Sequence, residues 1–224
     1  MYTTYERPTA DYYQEMKATA YRHLALAMLI AGVITGAIVF LDVPIWVYYI
    51  GLAVEFMVII GLFIAALMRK QFSESTALAI LNIFAVASGI TLGFMVKVYL
   101  AIDPMIVFYG FGTSGVVIFG IYTYTSINKP NVSHLYKYML VLVLAFLVLA
   151  IFGFIFMSNN WLFNLAISVF GAAIFALYMY IDFARLERGE FYSPAMMALM
   201  LFYDIIFFIK YMLRIAALIL AGDR

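Results

Sequence analysis

The sequence predicts an all-α, polytopic membrane protein of seven transmembrane helices, and two observations carry that prediction. Of 224 residues, 67% are hydrophobic and only 11% are charged, with a mean hydropathy of +1.06. A soluble chain carries about 25% charged residues. The apolar residues also fall into repeated runs of roughly 20, each long enough at about 1.5 Å per residue to cross about 30 Å of hydrocarbon. Lipid offers no hydrogen bonds to a peptide group, so such runs read as helices.

Residues 1–20 are polar and Tyr-rich and read as an N-terminal tail at the membrane surface; residues 21–224 read as one transmembrane domain. Helix 1 is expected over about 21–41, ending at Asp42-Val43-Pro44, and helix 2 over about 45–68, ending at Arg69-Lys70. Helix 3 covers about 76–100 and stops at Asp103-Pro104; helix 4 covers about 104–125, ahead of Asn128-Lys129-Pro130-Asn131. Helices 5, 6 and 7 follow over about 135–157, 161–183 and 194–221. Prolines and Asn/Ser clusters mark the turns.

Charge orients the bundle. Arg69, Lys70, Lys129, Lys137, Arg185 and Arg188 all fall on one side, whereas the loops at 42–44, 101–103 and 158–160 hold no Lys or Arg. The positive-inside rule then places the N-terminus in the cytoplasm and, after seven crossings, the C-terminus outside. Lys97 is the exception, expected to snorkel outward towards Asp103. No cleavable signal is expected, since the first apolar run follows a polar tail and is too long for a signal core. A net charge of +1 gives no basic surface for nucleic acid, and the absence of cysteine excludes thiol chemistry and disulfides. His23 and His134 are too few and too far apart for a histidine metal site. The expected surroundings are the lipid bilayer of the cell membrane, with no cofactor and with a monomer or weak oligomer as the assembly.

Inside a membrane the informative residues are the ionisable ones, because each is costly there. Glu55 lies in Ala53-Val54-Glu55-Phe56-Met57 with nothing local to neutralise it, so it faces a cavity or a neighbouring helix. Asp182 lies at the cytoplasmic end of helix 6, level with Arg69. Asp204 lies roughly 14 Å into helix 7 counted from Pro194, deeper than Asp182, unless helix 7 begins outside the hydrocarbon. Lys210 and Arg214, four residues apart, share a face of helix 7, and Tyr211 lies on the face of Asp204. A helix carrying Asp204, Lys210 and Arg214 has to be enclosed by other helices or line a wet path. Small residues at Ser88-Gly89, Gly93, Gly110, Gly112, Gly115, Ser168 and Gly171 favour close helix packing.

Five stretches, in order, resemble the transmembrane Bax inhibitor motif family, its prokaryotic pH-sensitive calcium-leak branch in particular. They are Glu55-Phe-Met-Val-Ile-Ile with Met68-Arg69-Lys70, Val86-Ala-Ser-Gly-Ile-Thr-Leu92, and Phe111-Gly-Thr-Ser with Val117-Ile-Phe119. Phe175-Ala-Leu-Tyr-Met-Tyr-Ile-Asp182 and Ala198-Leu-Met-Leu-Phe-Tyr-Asp204 with Leu213-Arg214 complete the set. The resemblance implies a bundle with helix 7 central and the other six around it. It implies a calcium leak gated by protons, with calcium as the transported ion and no enzymatic activity. Carried over by position, Asp182 and Asp204 form the proton-sharing pair and the calcium ligands, and Arg69 exchanges contacts with them. Glu55, Asp204, Tyr211 and Arg214 then mark the ion path. The chain departs from the family at Phe207 and Tyr211, where asparagines are usual, at Phe94, where proline is usual, and after helix 4, where an aspartate is missing.

Three other readings compete. An intramembrane aspartyl protease also pairs aspartates on helices 6 and 7, but its Gly-x-Gly-Asp turn and Pro-Ala-Leu segment are absent. In a retinal protein Lys210 would form the Schiff base, but helix 3 offers no mid-membrane counterion. A membrane adaptor acting through protein contacts is the third, with no partner specified by the residues.

Overall fold

The computed structural model describes residues 10–68, 72–156 and 160–222. Among them run seven α-helices: α1 Ala10–Phe40, α2 Ile45–Leu67, α3 Glu74–Ile102, α4 Pro104–Asn128, α5 Ser133–Phe156, α6 Trp161–Arg188 and α7 Pro194–Ala221. Five are long and apolar enough to cross a membrane: Asp11–Phe40, Ile45–Ala65, Glu74–Ile102, Pro104–Asn128 and Trp161–Arg188. Helix α7 carries Asp204, Lys210 and Arg214 along its length.

The chain's own capping chemistry fixes the helix ends. Ser73 accepts from the Thr76 amide at the start of α3, Asn160 from Phe163 at α6, and Ser193 from Met196 at α7. Asp103 closes α3 through its backbone amide and opens α4 by accepting from Met105 with its side chain. Pro104 and Pro194 occupy first-turn positions, where no amide is needed. Gly189, at φ 70, ends α6 in the left-handed region that glycine tolerates best.

Two boundaries differ from the sequence reading. Helix α1 begins at Ala10 instead of near Tyr21. No glycine or proline interrupts residues 10–31, and Asp11 in the first turn favours the helix N-terminus. Helix α6 continues to Arg188 instead of stopping near Phe183, with Arg185 and Arg188 in its last turn, where cations suit the helix dipole. Lys97 also differs: its ammonium lies 3.6 Å from Asp42 and donates to the Leu41 carbonyl, because Asp103 is engaged in capping.

Helix α7 packs against α1, α3, α4 and α6, while α2 lies on α3 and α5 on α6. Four helices, in place of the six expected, are thus close neighbours of α7, and α2 reaches it through a side chain described below. The elements assigned to the cytoplasmic side lie together: Glu74 of α3 accepts from Ser193 and from the Ala195 amide, and Lys17 of α1 meets Glu187 of α6.

Close packing depends on some of the small residues and not on others. A Cβ at Gly89 would lie 2.8 Å from the Ala31 carbonyl oxygen, and one at Gly110 would lie 2.5 Å from Leu213. Gly112 and Gly115, also expected to pack closely, have nothing within 4 Å of such a Cβ. Gly89→Ala is therefore expected to destabilise the protein by about 1–3 kcal/mol, since backbone cannot yield as a side-chain tip does. Gly112→Ala should leave stability unchanged or slightly raised. Thermal unfolding of the two variants in detergent tests this; equal melting temperatures would mean that α1 and α3 do not touch at Gly89.

Candidate functional site

Asp182 and Asp204 come together in the interior. Both are buried, 5% and 2% exposed, and their carboxyl groups are within hydrogen-bonding reach. The depth mismatch expected from sequence is reduced because α6 runs on to Arg188, which puts Asp182 about 9 Å up from that helix end. Arg185, one turn below, donates to Asp182 at 3.4 Å. Asp204 Oδ2 has no hydrogen-bond donor. Two carboxylates are both acceptors, so their contact becomes a hydrogen bond only when one of them carries a proton.

Aromatic side chains of α3, α6 and α7 pack together next to Asp204. Phe175 of α6 stacks on Phe207 with ring centroids 5.2 Å apart, and on Tyr211 at 5.7 Å. Phe84 of α3 also stacks on Phe207, at 6.5 Å, and Tyr203 leans on Phe207 at 4.8 Å. Tyr211 fits over Gly171, where a Cβ would lie 2.7 Å from its ring. Tyr211 does lie on the α7 face that carries Asp204, as the seven-residue spacing predicts, and it packs there against Phe175, Phe146 and Gly171. Arg214, one turn on, donates to Asn164 of α6 at 2.8 Å.

Glu55 is not an open acid. It is 3% exposed, and Lys210 reaches it from α7 with Nζ 2.5 Å from Oε1. Thr91 of α3 donates to the same oxygen at 3.0 Å and accepts from Lys210 at 2.8 Å. The Lys210 ammonium also lies 5.0 Å from the centre of the Phe207 ring, within cation–π range. This knot ties α2, α3 and α7 together. Although Lys210 and Arg214 are neighbours on one face, their long side chains diverge, one to α2 and α3, the other to α6.

The predicted site residues thus form separate groups. Asp182 and Asp204 meet; Glu55 belongs to the Lys210 knot; Tyr211 and Arg214 lie along the α6–α7 seam. Arg69, the expected cation for the pair, lies outside the described residues, and Arg185 is the arginine placed beside Asp182. Sequence reasoning missed Glu187, which accepts from Lys17 at 2.6 Å, Tyr21 at 2.7 Å and Ser126 at 3.3 Å, joining α1, α4 and α6. Its place in the charged run Arg185–Glu190 made it look like a loop residue. For Lys210 a signal was present: an acid and a base both inside the membrane call for each other.

A family model described as "Inhibitor of apoptosis-promoting Bax1" matches residues 14–222, nearly the whole chain.

Proposed function

Since the chain belongs to the Bax inhibitor-1 family and is a membrane protein of long apolar helices, we propose that it is a pH-sensitive calcium leak of the cell membrane, gated by Asp182 and Asp204. In this reading seven helices span the membrane around α7, the N-terminus is cytoplasmic and the C-terminus external. One observation carries it: two buried carboxyl groups side by side, with Asp204 Oδ2 left without a donor.

The chemistry follows from that contact. One proton held between the carboxyls removes a negative charge and joins α6 to α7, which keeps the seam shut. When the cytoplasmic pH rises the proton leaves, and two carboxylates repel in a poorly hydrated place. The seam loosens, and the freed oxygens, hard ligands of the kind calcium prefers, attract the ion. Arg185, which donates to Asp182, is placed to neutralise the pair from the end of α6. The flank beside the pair is filled by Phe175, Tyr203 and Phe207, which favours a closed ion path over a peptidase cleft.

Purified protein in calcium-loaded liposomes, with flux followed over a pH series, tests the proposal. Flux should be low in acid and rise with pH. A flux no greater than that of empty liposomes at every pH would overturn it.

A further inference from the structure

The knot around Lys210 has the composition of a cation site that already holds a cation. The ammonium is met by Glu55 Oε1 at 2.5 Å and Thr91 Oγ1 at 2.8 Å, with the Phe207 ring face at 5.0 Å. Ser88 lies one turn before Thr91, on the same stretch of α3. Its carbonyl accepts from Thr91 at 3.2 Å, while its own hydroxyl oxygen is fully buried with no hydrogen-bond partner. A carboxylate, a hydroxyl and an aromatic face are a set of groups that attract a positive ion, and Ser88, one helical turn from Thr91, carries a further buried hydroxyl that the lysine does not use.

We propose that Glu55, Thr91 and Ser88 form a binding site for a monovalent alkali cation, which the Lys210 ammonium fills as a tethered ion. Charge selects the class. Glu55 supplies one negative charge, so ammonium or an alkali ion leaves the buried site neutral. A divalent ion would leave a net positive charge among α2, α3 and α7, which is expensive to bury there. Sodium or potassium therefore suits the site and calcium does not. The claim concerns occupancy of this site alone and stands whether or not the protein conducts calcium.

The test removes the tether and offers free ions. Lys210→Met keeps most of the apolar stem and vacates the ammonium position. The melting temperature of the purified variant is measured in sodium, potassium, calcium and choline chlorides at equal ionic strength. Sodium or potassium should raise it over choline by roughly 5 °C, the shift for a site well past saturation. The wild-type protein, whose site is filled, should show no alkali-specific rise, nor should Glu55→Gln/Lys210→Met, which has no charge to satisfy. Should Lys210→Met fail to purify, Lys210→Gln, whose amide still donates towards Glu55, takes its place and should show the same order with a smaller shift. No alkali-specific rise, a rise that persists in the double variant, or a larger rise with calcium would each overturn the proposal.

Discussion

Asp204→Asn is expected to remove most of the pH response of calcium flux and to lower the flux itself, and Asp182→Asn to remove the response with a smaller loss. Asparagine keeps the size and polarity of aspartate, so the α6–α7 seam retains a hydrogen-bonded contact. What it cannot do is share a proton or take a negative charge. Two unit charges about 4 Å apart repel by about 4 kcal/mol at an effective dielectric of 20. Every 1.4 kcal/mol or so changes an equilibrium about tenfold, so this repulsion is ample to shift a two-state contact. With one carboxyl replaced, the repulsion is gone at every pH. The wild type should change flux by about tenfold or more between acid and alkaline conditions, and either variant by less than about twofold. Asp204 is the more deeply buried of the two and has the unpartnered oxygen, so under the proposed mechanism its loss also removes a calcium ligand. The check is proteoliposome flux across a pH series, with circular dichroism and gel filtration to confirm folding. If both single variants keep the wild-type profile, the pair is structural and the gating scheme is wrong.

The helices were legible because lipid makes local rules strong. A run such as 45–67 has no soluble alternative, and Asp103-Pro104 ends one helix and starts the next wherever it occurs. Legibility failed where a polar segment found a tertiary partner. Residues 10–20 look like a surface tail by composition, yet Lys17 and Tyr21 are held by Glu187 and extend α1 by three turns. The aspartate pair was visible through its resemblance and was placed at unequal depths by residue counting. The extra turn of α6 that reduces the difference depends on the cap at Gly189, whose position is set by the turn and not by hydrophobicity. Glu55 illustrates the limit in the other direction. Its cost was plain from its neighbours, but its partner lies 155 residues along the chain, and only the packing of α2 and α7 about α3 brings the two within reach. Gly112 and Gly115 read as packing residues for the same reason that Gly89 does; which face of a helix meets a neighbour is a tertiary fact.

Lys210→Met is expected to cost about 3–5 kcal/mol in unfolding free energy in the absence of alkali ions, because it strands a carboxylate in the membrane interior. Glu55→Gln should also destabilise, by less, since Thr91 and the Phe207 ring still face the ammonium. The double variant Glu55→Gln/Lys210→Met should lie within about 1 kcal/mol of wild type, because an ion pair and a neutral packed pair of similar volume are close in free energy once both charges are gone. The cycle therefore has a sign that a solvent-exposed pair cannot produce: an exposed pair is worth about 0–1 kcal/mol, and its single variants would barely differ from the double. Reversible unfolding in mixed micelles, in choline buffer, gives the three differences. Flux gives an independent reading. Helix α2 packs on α3 and reaches α7 through this pair, whereas Asp182 and Asp204 lie between α6 and α7. Loss of the Glu55–Lys210 pair should loosen α7 and raise flux at all pH values, while the pH at which flux is half-maximal stays where the aspartates set it. Single variants that each cost less than about 1 kcal/mol would mean that water reaches the pair, and a shifted pH midpoint would mean that the Glu55–Lys210 pair and the aspartate pair do not act separately.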